Sequence, residues 1–357
     1  MRLFSLLLLI ELACWQATAQ GGNVFRQDDY SGRVVDTFKQ SDQGGMEDRY
    51  IVLLHDQQGR GLSTFNIKTA AALMASSHKA NVGLTYSKVA KGFSVENLSP
   101  EEKVRLEQDP SVKSIIKDEK LSLYNTAVVQ ATDLPWGLDR LDDETLDSDG
   151  TFEHQSNGGE GVHVYIIDTG VNVNHVDFQG RIAPTSQNKN FVKNPTQTPA
   201  WNDCHGHGTH VASSAAGTKY GVAKKATIHA VRIFDCEGST TYAALMGAMD
   251  FVAQDCNGRL CVANMSLGSG KSSALNEAST NLVNSGVVVT VAAGNENQDA
   301  CNFSPASADK VITVGSTTSK DERSYFSNFG SCLNIYAPVR TDYNFPRKHL
   351  LICCLHN

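Results

Sequence analysis

No stretch of this chain reaches the roughly 20 consecutive apolar residues that a membrane-crossing helix requires, so no segment reads as a transmembrane span. Positive charge is also scarce. Lysine and arginine number 31 against 38 aspartates and glutamates, a formal net charge of -7. Without a basic face or a run of like charges, a polyanion has nothing to bind, and nucleic acid is removed as a partner. There is no internal repeat and no low-complexity tract. What remains is a chain of 357 residues, 41% hydrophobic and 19% charged, enough to bury one full core and a second small one.

Residues 1–19 read as a secretory signal: Arg2 gives a positive start, Leu3 to Ile10 an apolar stretch, and Ala17-Thr18-Ala19 a small-residue cleavage site. Glu11 is an awkward charge within it. The expected location is therefore secreted, extracellular, with no membrane partner. Of nine cysteines, Cys14 leaves with the signal, and Cys353 and Cys354 lie near the end of the chain. Cys204, Cys236, Cys256, Cys261, Cys301 and Cys332 remain. None of these six shows Cys-x-x-Cys spacing, and an even number in an exported chain favours disulfides over a metal site. Fifteen connectivities are open to six cysteines.

Residues 20–45 are polar and rich in Gly, Gln and Asp, and read as a flexible lead-in. The pattern then changes. Arg49 to Leu54 reads as a strand, Ser63 to Ala80 as a helix, Leu84 to Val95 as strand-like, and Val112 to Leu123 as a further strand. Ser99-Pro100-Glu101-Glu102 reads as a helix start, with the cap at Ser99, proline at the first helical position and glutamate three residues after the cap. That order describes an α+β unit of about 75 residues, large enough to fold on its own. From Gly161 onward, buried apolar strands (162–167, 227–233, 260–265, 287–292, 311–314) alternate with helices (207–216, 241–254, 273–284). Continuous apolar strands separated by helices predict an α/β fold, a mostly parallel sheet covered on both faces, whose ligands bind at the carboxyl ends of the strands.

Three polar residues fall at that edge. Asp168 ends the run Val164-Tyr165-Ile166-Ile167, His207 opens the helix His207-Gly208-Thr209-His210-Val211-Ala212, and Asn295 follows Val291-Ala292-Ala293-Gly294. An aspartate orients an imidazole and stabilises its protonated form, the imidazole moves a proton, and an amide N-H stabilises an oxyanion, which together suit peptide hydrolysis. Read alone, Asp168 is a loop anchor and Gly294-Asn295 a turn. His205, His207 and His210 also raise a zinc reading, against which no glutamate stands between them and no further carboxylate clusters nearby.

Together these motifs resemble the subtilisin-like serine peptidases, most closely the proteinase K branch, over roughly Glu47 to Pro338. The resemblance implies a serine-type endopeptidase with Asp168, His207 and Asn295 as catalytic residues, acting on protein or peptide substrates and needing no cofactor for chemistry. Gly238-Ser239-Thr240 would be the edge that pairs with an extended substrate, and Ser266-Leu267-Gly268 with Ala292, Ala293 and Gly294 would line the main specificity pocket. Residues 46–128, through Tyr50-Ile51-Val52-Leu53-Leu54 and Gly92-Phe93-Ser94, resemble the inhibitory propeptide of that family, an intramolecular partner; an unrelated interaction domain is the other reading. Cleavage would fall between Tyr124 and Ala131, because Pro135-Trp136-Gly137-Leu138-Asp139-Arg140 looks like a mature start. The bridges implied are Cys204 with Cys236 and Cys301 with Cys332, which leaves Cys256 for Cys261. A structural calcium is implied near Asp309 and Val311, where Asn334 replaces a carboxylate and makes a poorer ligand. Ser213 stands where the family usually has glycine.

One element of the resemblance is missing. No Gly-Thr-Ser occurs in the chain, and after Pro338 the run Val339-Arg340-Thr341-Asp342-Tyr343 follows no family pattern. Residues 129–338 therefore read as an incomplete peptidase domain and 339–357 as a non-family tail. The expectation is an inactive, poorly soluble product, from an alternative transcript or an incomplete gene model. A secreted non-enzymatic protein that binds a protease or peptide through the N-terminal unit is the alternative.

Overall fold

The structure is a computed structural model that describes residues 48–55, 64–123, 135–146, 149–154, 158–178 and 180–338. The secretory start, the lead-in, the stretch 124–131 and the tail 339–357 lie outside the described residues.

The N-terminal unit is a four-stranded antiparallel sheet in the order β2-β3-β1-β4, formed by β1 (Tyr50–Leu54), β2 (Asn81–Tyr86), β3 (Gly92–Glu96) and β4 (Val112–Lys117). Helices α1 (Thr64–Ser77) and α2 (Pro100–Leu106) accompany it. Alternation along β1 explains why the unit has two apolar faces. Val52 and Leu54 pack with Ala71, Ala75, Phe93 and Leu106, whereas Ile51 and Leu53 join the core of the larger sheet. The Ser99 cap forms as the sequence predicts, its Oγ accepting the Glu102 N-H at 3.3 Å.

Two expectations for this unit need correction. Leu84 to Val95 is a hairpin, because residues 87–91 turn away to meet a carboxylate on a distant helix. Val112 to Leu123 is two strands, because Asp118, 1% exposed, interrupts the run with its carboxylate turned to another element. The second strand, β5 (Lys120–Leu123), joins a different sheet.

The main sheet has seven strands in the order β15-β14-β12-β10-β6-β8-β7, all paired in parallel. These are β6 (Val162–Asp168), β7 (Lys189–Asn190), β8 (Thr227–Arg232), β10 (Leu260–Met265), β12 (Val288–Ala292), β14 (Ile312–Thr317) and β15 (Ile335–Pro338). Period-two geometry sends Val164 and Ile166 to one face, against Val211, Ala212 and Ala215, and Tyr165 and Ile167 to the other. With both faces covered the strands carry no polar alternation, as parallel sheets require. Helix α3 (Trp136–Asp139) precedes this sheet. Helix α4 (His207–Ala216) covers the first face, and α5 (Tyr242–Asp255) and α6 (Ser273–Asn284) cover the second. A third sheet, order β13-β11-β5-β9, joins β9 (Ser239–Thr241), β11 (Leu267–Gly270) and β13 (Phe303–Ser304) around β5.

At the base of the main sheet lies a buried polar network. His163 Nδ1 lies 2.7 Å from His229 Nε2, His229 stacks on Tyr165 with ring centroids 4.2 Å apart, and Tyr165 donates to Asp255 at 2.7 Å. Burial pushes His229 down to about 4, helped by the nearby His163 and Arg259. The unfolded chain therefore takes up a proton near pH 6.5 that the fold refuses until about pH 4. Stability is expected to fall by about 2 to 3 kcal/mol as pH drops across that window. Urea unfolding at pH 7 and pH 4.5 measures it, and His229→Gln is expected to flatten the slope.

Candidate active site

Asp168 and His207 meet because β6 ends where α4 begins. The imidazole Nδ1 lies 2.7 and 2.9 Å from the two carboxylate oxygens, with Asp168 fully buried and His207 1% exposed. Facing a carboxylate, Nδ1 must carry the proton and donate, which leaves Nε2 as the basic nitrogen. Thr169 N-H donates to Asp168 at 2.6 Å, and α4 follows so closely that a Cβ on Gly208 would overlap the Gly170 carbonyl. Only glycine permits that approach. Ser213, on the same helix, donates to buried Asp177 at 2.5 Å. Its hydroxyl thereby gains a partner inside a closely packed contact.

Asn295 follows β12 at the same edge of the sheet. Its Nδ2 is buried and has no hydrogen-bond partner among the described residues. A donor withdrawn from water and unmatched in the fold is costly, and a ligand acceptor would satisfy it. The turn before it places Gly294 at φ +104, where an added Cβ would collide with the Asn328 side chain. Asn328, absent from the sequence-based site, holds this loop. Its Nδ2 donates to Ala293 O at 2.9 Å and Glu296 Oε2 at 2.7 Å, and its Oδ1 accepts the N-H groups of Glu296 and Gln298 at 3.1 and 2.9 Å. Burial raises the Glu296 carboxyl. The only sequence signal for Asn328 was its place in Asn328-Phe329-Gly330, beside a glycine at φ +105.

Beside this pair lies a strand-shaped slot. Ser239 and Thr240 pair with Ser122 and Leu121 on one side, and Leu267 and Gly268 pair with Leu123 and Ser122 on the other. Gly238 starts the first edge at φ +79, and Ser266, 2% exposed, stands before the second and receives the Asn264 amide at 2.9 Å. The slot thus holds β5 as its middle strand, with Leu121 1% exposed. Ala292 and Ala293 are buried, the latter against Ala300 and Ala306.

The N-terminal unit is fixed over this slot by groups on α5 and α6. Asp250 accepts the N-H groups of Ser87, Lys88 and Val89 at 2.9, 2.5 and 3.1 Å, and Asn281 donates to Val89 O at 2.8 Å. From the other side, Asp118 accepts the Ala243 N-H at 2.9 Å. Burial raises the Asp118 carboxyl, an effect opposed by the Ala243 N-H and Arg49.

The three bridges are Cys204–Cys236, Cys256–Cys261 and Cys301–Cys332. Around the implied calcium ligands, Asn334 Oδ1 accepts the Thr313 N-H at 2.7 Å and Asp309 O accepts from Thr280 at 3.0 Å. A separate acidic group lies near α3, where Asp139 Oδ1 accepts the Gly150 N-H at 2.9 Å and Asp149 Oδ1 the Thr151 N-H at 2.8 Å. Asp139, Asp143 and Asp149 bring carboxylate oxygens within 4.8 Å of one another. Asp143 Oδ2 has no hydrogen-bond partner among the described residues, and desolvation with Asp149, Asp139 and Asp142 nearby raises its carboxyl.

A parallel sheet covered on both faces, with a buried carboxylate–imidazole pair and a strand-binding slot at its carboxyl edge, defines a hydrolase-like α/β protein. Residues 159–352 match the model of the subtilase family, and the chain belongs to that family. It is 44% identical to an extracellular serine proteinase of Thermus sp. (strain Rt41A) over 261 residues, 72% of this chain and 60% of that one. It is 42% identical to alkaline serine exoprotease A of Vibrio alginolyticus over 82% of this chain and 54% of the relative. To a cuticle-degrading protease of Metarhizium anisopliae it is 38% identical over 82% and 71%. The chain thus spans less than two thirds of the length of the first two. A crystal structure of a cold-adapted subtilisin-like serine proteinase aligns with a TM-score of 0.53 and 46% identity, over 58% of this chain and 73% of that one. The family match continues past Pro338 to residue 352. No helix among the described residues is long and apolar enough to cross a membrane.

Proposed function

We propose that the chain carries the acid–base and substrate-binding part of a secreted serine endopeptidase in its precursor form. The Asp168–His207 contact at 2.7 Å, beside a slot already filled by a strand, is the observation that carries this reading. In it, His207 Nε2 takes the proton of a nucleophilic hydroxyl as the carbonyl is attacked, then returns it to the departing amine. Asp168 keeps the proton on Nδ1 and balances the imidazolium charge. Asn295 Nδ2 donates to the oxyanion as it forms. A peptide substrate enters as a strand between β9 and β11, paired on both edges.

Residues 46–128 act as the inhibitory propeptide, with Lys120–Leu123 in the substrate's place, and the cut that releases them falls within 124–131. The 357 residues include no Gly-Thr-Ser to bring a nucleophilic serine to this edge, and as they stand they are expected not to hydrolyse peptides. A direct test extends the chain after Pro338 with a segment bearing Gly-Thr-Ser-Met-Ala and compares both chains on a peptide substrate. The extended chain is expected to gain turnover and the 357-residue chain to show none. His207-dependent hydrolysis by the 357-residue chain, or a folded extended chain without activity, overturns the reading.

Asp139, Asp143 and Asp149 would hold calcium, a divalent cation that relieves three neighbouring carboxylates and fastens the segment around α3. At a hundredfold excess over Kd it is expected to add about 2 to 3 kcal/mol and raise Tm by several degrees. Calorimetry with calcium against chelator measures the shift, which Asp143→Ala is expected to remove.

A further inference from the structure

Helix α4 begins without a side-chain cap of its own: Gly206, at the capping position and φ +102, offers none. Its first N-H groups, closed in beside a buried imidazole, still need acceptors. The carboxylate of Asp203 takes one of them and the N-H groups of the turn just before the helix. Oδ1 accepts the N-H groups of His205 and Gly206, each at 2.9 Å, and Oδ2 accepts the N-H of Thr209 at 2.9 Å and its hydroxyl at 2.5 Å.

The same side chain also reaches the other catalytic loop. Thr169 Oγ1, on the residue after Asp168, donates to Asp203 Oδ1 at 2.9 Å and accepts the Gly208 N-H at 2.8 Å. Thr209 Oγ1 in turn accepts the Asn172 N-H at 2.9 Å. Five donors therefore converge on one carboxylate, from the turn before His207, the helix after it and the loop after Asp168. Charged acceptors hold such donors about twice as firmly as neutral ones, and low dielectric strengthens each bond further.

We infer that Asp203 is the positioning residue of the Asp168–His207 pair, one carboxylate that ties the loop after Asp168 to the first turn carrying His207. It touches neither substrate nor reacting atoms. Its task is to fix the imidazole against the Asp168 oxygens, where small displacements cost large factors in rate. The inference rests on reading Asp168 and His207 as the acid–base pair.

The low-field proton resonance of His207 Nδ1-H, followed in the histidine-labelled full chain, reports that contact directly. The unmodified chain is expected to show it and Asp168→Asn to lose it. Asp203→Ala is expected to lose or broaden the signal while the dispersed methyl resonances of the core persist, and Asp203→Asn, which keeps one acceptor oxygen, to retain part of it. If Asp203→Ala does not fold, Thr169→Val decides, because it cuts only the link between the loops and is expected to weaken the same resonance. An unaltered signal in Asp203→Ala, or in Thr169→Val should that decide, overturns the inference while leaving the pair intact. A signal insensitive to Asp168→Asn overturns the pair itself.

Discussion

Replacing His207 by alanine in a chain completed with a Gly-Thr-Ser segment is expected to lower kcat on a short peptide by about six orders of magnitude. That figure is the one measured for the histidine of subtilisin, itself a member of this family. Asp168→Asn is expected to cost about 10⁴-fold, because an amide opposite Nδ1 favours the wrong tautomer although the ring stays in place. The ordering follows from the geometry. With His207 1% exposed and Nδ1 bound to both oxygens of a fully buried carboxylate, its proton inventory is decided by Asp168. Steady-state kinetics with unchanged KM and collapsed kcat checks both variants; equal losses for the two would place Asp168 in the proton transfer itself.

The second large effect concerns Asn295. Truncation to alanine in the same completed chain is expected to lower kcat by about 10² to 10³, or roughly 3 to 4 kcal/mol, with little change in KM. Again the magnitude comes from subtilisin. What the structure adds is the reason it applies: Nδ2 is buried and unmatched, so the ground state satisfies nothing that the transition state would have to displace. A variant that raised KM instead, with kcat intact, would move Asn295 from oxyanion stabilisation to substrate binding. Asn328 is then the residue to examine next, since its carboxamide fixes the backbone at Ala293, Glu296 and Gln298 on either side of Asn295.

The candidate edge was legible because it is written in local patterns. Apolar runs end in Asp168 and near Asn295, and the cap-free His-Gly-Thr-His start reproduces α4 to the residue. The bridges of Cys204, Cys236, Cys301 and Cys332 came from the resemblance, not from spacing. What stayed hidden depends on partners far away in the chain. The turn at Ser87–Val89 exists because Asp250, more than 160 residues on, takes its three N-H groups. The break at Asp118 exists because the Ala243 N-H needs an acceptor. Asp203 and Asn328 read locally as ordinary turn formers, and only the folded loops reveal how many backbone groups each one satisfies.

Under the proposed function, His207, held by Asp168, stands ready to activate a hydroxyl delivered to this edge of the sheet. Labelling with an organophosphate, which modifies an activated serine far faster than other side chains, tests it most directly by intact mass. The chain extended through Gly-Thr-Ser is predicted to take up one label per molecule at its new serine, and both the 357-residue chain and the extended His207→Ala variant to take up none. Label on the 357-residue chain, or equally fast labelling without His207, would contradict it.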